Sequence, residues 1–169
     1  TPSLREAAEL QTKLWLGDGY EAQLANAERE GDPGALACLR GNRDKVFPFD
    51  AAAFSKTLTR RATLTRDWLM FFETYPVLLM PVSGELPFPD GLDRRDDASF
   101  ARVWRAQVPQ IAIPFMGLPA LTVSTGSVGR IPVGVQVVSS RYREDMCLRA
   151  GEAIEAGGTP VVAIDPVLS

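Results

Sequence analysis

The chain contains no histidine, only two cysteines and only three lysines among 169 residues. Without histidine, neither a Ser-His-Asp nor a Cys-His centre can be assembled from this chain alone. The HExxH zinc site is excluded for the same reason, and no clustered carboxylates suggest another metal or any cofactor. Cys38 and Cys147 stand far apart in no paired motif, which reads as two buried or half-buried thiols in a reducing, cytoplasmic setting. A net charge of −3 does not suit nucleic acid, whose binding needs a basic surface to displace counterions. Nor does it suit electrostatic docking on an anionic membrane. No run of about 18 apolar residues is present, so no spanning helix is expected. The opening TPSLREAAEL lacks the charged-then-apolar order of a signal peptide.

What is present is an ordinary globular balance, 46% hydrophobic and 23% charged, on a length that suits one domain. Ser3 with Glu6 three residues later forms a capping box, and apolar residues from Leu4 to Trp15 recur at helical spacing. A helix is expected from Ser3 to Leu16, stopped by Gly17-Asp18-Gly19. A second is expected from Tyr20 to Arg29, and a short helical piece from Ala35 to Leu39. Asp50 is a candidate cap for a long helix over 51–73. Leu58, Ala62, Thr65, Leu69 and Phe72 form its stripe, widened by Leu64, Trp68 and Phe71. Arg60, Arg61 and Arg66 read as a solvated flank of that helix rather than an anion site.

The texture changes at Tyr75. Pro76 to Val82 is a short apolar run between turn signals, the mark of a strand buried on both faces. The stretch from Ser83 to Asp97 is rich in Pro, Gly and Asp and reads as a long loop of functional character. Ser99 is a candidate cap for a helix carrying Phe100, Val103 and Trp104, which Pro109 ends. Ala120 to Thr125 and Pro132 to Val138 read as strands joined by a tight glycine turn, hence an antiparallel hairpin. Gly134 lets another backbone approach. Gln136 is one polar residue in a buried strand and must find partners, more readily in neighbouring backbone than in a substrate. A last helix is expected over 143–156, with Met146, Cys147, Ala150 and Ile154 as its stripe. Val161 to Ile164 reads as a short edge strand. The reading is one segment, mainly helical over 1–73 and strands plus a final helix over 74–169. It is an α/β arrangement, with a mixed β-sheet and helices on both faces.

Four stretches resemble the closing part of the amidase signature family: Tyr75-Pro-Val-Leu-Leu-Met-Pro-Val-Ser83, Gly117-Leu-Pro-Ala-Leu-Thr-Val123, Arg130 to Gln136, and Arg143 to Glu155. Their order and spacing are similar to that family over Tyr75 to Ala156, and only loosely so before it. Pro76 stands where the family often has Asp, and Ser124 where it commonly has Pro. The resemblance implies hydrolysis of a carboxamide C–N bond through an acyl-serine intermediate. In that family a neutral lysine acts through a bridging serine on a second, nucleophilic serine, and backbone amides hold the oxyanion.

The residues of that triad have no counterpart here. No Gly-Gly-Ser-Ser-Gly-type run exists, and Ser124 to Gly129 is its nearest imitation, read as a hairpin turn. Lys13, Lys45 and Lys56 lie in the helical first part, away from any serine pair. No catalytic residue is therefore assigned. The loops Ser83 to Asp93 and Ile113 to Gly117 are the pocket candidates, with Ser83, Phe115, Met116 and Gly117 as lining. Expected partners are a carboxamide small molecule, a catalytic N-terminal portion outside this chain, and further copies of itself. Strands apolar on both faces need neighbours along both edges, so an apolar edge is expected to seek cover. The alternative is a non-catalytic α/β module that binds a small molecule or a protein.

Overall fold

Side-chain caps open several of the helices. In the computed structural model, which describes residues 1–158, the Ser3 hydroxyl accepts from Glu6 N at 3.1 Å and starts α1 (Leu4–Gly17). Only half of the expected capping box forms, because the Glu6 carboxylate turns instead to the Arg60 guanidinium. Then come α2 (Tyr20–Glu30), α3 (Pro33–Val46) and α4 (Ala51–Thr74), the last capped by Asp50 accepting from Ala53 N at 2.8 Å. α3 is much longer than the expected piece over Ala35 to Leu39. Asp32 caps it and Pro33 occupies its first turn, a start signal that the glycines at 34 and 41 obscured. Gly41 serves packing, since a Cβ there would fall 2.5 Å from the Phe100 ring.

The buried line of α4 is Thr57, Leu64, Thr65, Trp68 and Phe72, rotated from the expected stripe. Leu58 stays 40% exposed, and Ala62 faces outward. Trp68 is wholly buried and touches Phe71 and Phe72 at ring-centroid distances of 5.6 and 5.8 Å. Around it gather Ala7 and Ala8 of α1, Val138 of the sheet and the apolar residues that follow Gln107.

Those residues correct a second expectation. Ile113 to Gly117 is not a loop: Val108–Met116 is a helix, α6, following α5 (Asp97–Ala106) with only Gln107 between them. Pro109 sits in the first turn of α6, where the missing N–H costs nothing, so it opens this helix as well as closing the one before. Apart from Gln110 the segment is apolar, and it holds two prolines, so its sequence gives little helical signal. Its final carbonyls find arginine partners. Arg61 Nε donates to Phe115 O, and Arg141 Nε and Nη2 donate to Met116 O at 2.9 and 2.6 Å. The expected arginine flank is thus broken up: Arg60 binds Glu6 and Arg61 holds the end of α6.

Three strands form the sheet, β1 (Val77–Pro81), β2 (Ala120–Val128) and β3 (Ile131–Ser139), in the order β1-β3-β2. Both pairings are antiparallel. The mixed character expected of the sheet is therefore not present among the described strands. β2 returns directly into β3 through Gly129 and Arg130, with Gly129 at φ 62, the left-handed geometry that matches strand twist. β1 reaches the other side of β3 through the long excursion that contains α5 and α6. β1 is consequently an edge strand and only half buried, with Leu79 56% exposed, while β3 in the centre buries Gln136 to Ser139.

Helices cover both sheet faces. Leu78, Met80 and Val138 point into the core built by α1, α4 and α6. On the other face Val77, Leu121, Val123 and Val137 meet Cys147, Ala150 and Ile154 of α7 (Glu144–Ala156). The expected strand over Val161 to Ile164 lies outside the described residues.

Candidate functional site: a cleft between the strap loop and the hairpin

A cleft of about 620 Å³ opens where β1 ends, a size typical of small-molecule sites. One wall is the strap Ser83–Phe88. The others are Gln107 and Gln110 at the α5–α6 junction, Thr122 of β2, and Pro132 to Gly134 of β3. The strap is tied down at several points. Gly84 N donates to Ala106 O at 2.7 Å, and the Ser83 hydroxyl donates to the same carbonyl at 3.3 Å. Arg102 grips the Glu85 carboxylate from two nitrogens, at 2.9 and 2.6 Å to Oε2, and its guanidinium stands 5.8 Å from the Phe88 ring centroid.

The Arg102 hydrogen bonds hold the Glu85 carboxyl below its usual range. A depressed carboxylate contributes above its unfolded value of about 4.3 and is lost as pH falls through the folded value. The strap is therefore expected to loosen in acid while the core stays intact. Glu85 and Arg102 resonances followed by NMR from pH 6 downward would show this. An unchanged strap at full Glu85 protonation would contradict it. Both groups are solvent-exposed, so the effect on global stability is small.

The register places Gln136 opposite Met80 and Thr122, on the sheet face that carries the cleft. Gln136 is only 9% exposed, and its Oε1 has no hydrogen-bond partner. The backbone partners expected for it are not made through this atom. An unpaired buried acceptor costs about 1–3 kcal/mol and calls for a reason. Gln136→Met, close in volume, is expected to raise stability by about 1 kcal/mol, read as a higher urea midpoint at unchanged slope. A lowered midpoint would mean that the amide is satisfied after all.

The sequence-derived site residues part company here. Ser83 lines the cleft, in the strap, with its hydroxyl already donated to Ala106. Phe115 and Met116 are both 0% exposed and pack in the core around Trp68. Gly117 caps α6 at φ 63, where a Cβ would lie 3.3 Å from Arg141. Gln107 and Gln110 line the cleft and were missed, because a helix junction built on Val108-Pro109 does not look like a site. Of the stretch read as a hairpin turn, Ser124 to Val128 proves to be the end of β2, interrupted by a bulge between Ser124 and Gly126, and only Gly129 lies in the turn. Among the described residues no lysine lines the cleft, and no carboxylate but Glu85, which Arg102 already holds. The geometry can bind and orient a neutral polar group, but supplies no base to activate a nucleophile.

The amidase family model matches residues 39–148, taking in α4, the sheet and the whole cleft. The chain belongs to the amidase family. Among relatives, this amidase chain is 36% identical over 119 residues to an indoleacetamide hydrolase of Bradyrhizobium japonicum, covering 68% of this chain and 25% of that protein. It is 35% identical over 126 residues to a glutamyl-tRNA(Gln) amidotransferase subunit of Archaeoglobus fulgidus, covering 75% of this chain and 27% of that one. The crystal structure of the corresponding subunit from Thermotoga maritima superimposes with a TM-score of 0.56 at 19% identity, over 92% of this chain and 34% of that one. That likeness shows the fold. The amidase signature resemblance and the α/β class read from the sequence both stand. The chain spans about a quarter of the length of the curated relatives it matches. Among the described residues no helix is long and apolar enough to cross a membrane.

Proposed function

We propose that this chain supplies the substrate-binding wall of an amidase that hydrolyses a carboxamide C–N bond, with the nucleophilic serine and its lysine outside the chain. The observation that carries this reading is the cleft itself, with the Gln107 and Gln110 side chains among its lining and the buried Gln136 on the same sheet face. Amide donors and acceptors complement a neutral carboxamide, which presents both in turn. A relative named for hydrolysis of indoleacetamide supports the same substrate class.

In this reading the acyl-enzyme forms on the other portion, and this chain orients the amide. Orientation alone contributes a large share of a barrier, so a positioning wall is a catalytic necessity. The exposed side chains Leu79 of β1 and Tyr75 just before it, 56% and 57% accessible, give the catalytic portion apolar surface to cover. Where that portion is absent, the same edge is expected to pair with another copy of the chain.

The test is reconstitution. The catalytic portion of a relative, inactive alone, is mixed or co-expressed with this chain, and ammonia release from phenylacetamide is measured. Restored turnover is the expected result. A tight complex with no turnover would leave a scaffold role and overturn the catalytic one. Sedimentation of the chain alone should show self-association that the catalytic portion abolishes.

A further inference from the structure

A second hollow, of about 560 Å³, lies on the other side of Gln107 and Gln110. The same two residues line both it and the cleft, so the two spaces are neighbours across one glutamine rim. Its character differs. Trp15, Trp104 and Ile111 form its walls, Cys38 lies among them, and no charged residue lines it among the described residues. Trp104 is stacked on Phe100 at 5.8 Å with planes 19° apart, which fixes its ring as a rigid flat wall. Trp15 is 47% exposed and touches no other ring among the described residues.

We infer that this hollow is a subsite for the aromatic body of the substrate, so that the chain selects uncharged aryl carboxamides. The amide end lies in the cleft behind the Ser83–Phe88 strap, the ring lies between Trp15 and Trp104, and Gln107 and Gln110 stand beside the bond that joins the two parts. The inference rests on the amidase reading and names its substrate class. The reasons are physical. A hollow with tryptophan walls gains most from a flat apolar guest. The absence of any lining charge disfavours an ionised one. Gln107 and Gln110 line both spaces, so an amide bound in the cleft has the hollow directly beside it for its apolar part.

The chain carries its own reporters. Trp15 and Trp104 line the hollow, whereas Trp68 is sealed in the core. Cys38 lines it too, and Cys147, 2% exposed, is the internal control. Burial pushes the Cys38 thiol above its ordinary value, so its modification is slow enough to time. Phenylacetamide is titrated against acetamide, with tryptophan emission and the rate of Cys38 modification by methyl methanethiosulfonate as readouts.

The expected result is a saturable emission change, and Cys38 protection by phenylacetamide at a concentration about tenfold below any effect of acetamide. Trp15→Leu, at an exposed position that should not disturb folding, is expected to weaken phenylacetamide about tenfold. Protection by neither amide, equal protection by both, or an unchanged Trp15→Leu variant would overturn the subsite. The two readings also separate. A reconstituted enzyme that turns over acetamide and phenylacetamide with equal kcat/KM keeps the amidase and removes the aromatic subsite. Selective Cys38 protection without turnover on reconstitution keeps the subsite and removes the catalytic role.

Discussion

Trp68→Ala is expected to cost about 3–5 kcal/mol, the range for emptying a fully buried aromatic site. The indole is 0% exposed and joins α4 to α1, α6 and the sheet in one cluster. Its loss leaves a cavity bounded by helices that cannot all close at once, because Arg61 and Arg141 hold the end of α6 in place. Trp68→Phe separates volume from polarity. The indole Nε1 has no hydrogen-bond partner, so phenylalanine removes an unpaired buried donor while it loses ring volume. The two effects oppose, and the phenylalanine variant is expected within about 2 kcal/mol of the parent. Urea unfolding followed by far-UV circular dichroism measures both. An alanine variant that loses less than about 1 kcal/mol would mean that α4 does not anchor the core.

Gly134→Ala is expected to cost about 1–3 kcal/mol and to distort the cleft. A Cβ at 134 would lie 2.5 Å from the carbonyl oxygen of Val123 and 3.2 Å from its carbon. These are backbone atoms of the neighbouring strand, so no side-chain rotation relieves the clash. β2 and β3 must move apart where Thr122 and Gly134 both line the cleft. Gly19→Ala is the control. It has φ 70 but no atom within 4 Å, so the only cost is that of the left-handed backbone, about 1 kcal/mol. Stability is read from urea midpoints, and the cleft from chemical-shift changes at Thr122 and Gln136. A Gly134→Ala variant as stable as the parent, with those resonances unmoved, would rule out the close strand contact.

Much of the architecture could be read from local chemistry. Ser3 and Asp50 cap the helices that follow, as their positions suggested, since capping is an interaction within one turn. The β2–β3 hairpin was legible from its turn, and Gly134 from its place in an apolar strand. The stripe of α7 was legible as well, with Cys147, Ala150 and Ile154 against the sheet. α6 was not, because two prolines and an unbroken apolar run read as a stop followed by a loop. Its helical state comes from the burial of Ile111, Ala112, Ile113, Phe115 and Met116 and from the arginines that donate to its last carbonyls.

The site divides along the same line. That Ser83 would lie against a cleft could be read locally, because a Pro/Gly-rich loop after a strand stands out. Gln107, Gln110 and the tryptophan hollow were not, since they join α1, α3 and the α5–α6 junction across the full helical half. By itself the sequence determined the class of fold, the caps at Ser3 and Asp50, the hairpin and the family resemblance, all set by interactions a few residues apart, whereas Ser99 proved to donate its N–H to the true cap of α5, Asp96. The absence of histidine meant that no histidine centre could be built from this chain's own residues, with no structure needed. Only the tertiary structure decided which arginines were spoken for, which glutamine oxygen went unpaired, and which two spaces share a rim. Those outcomes depend on contacts between distant segments, and no local periodicity encodes them.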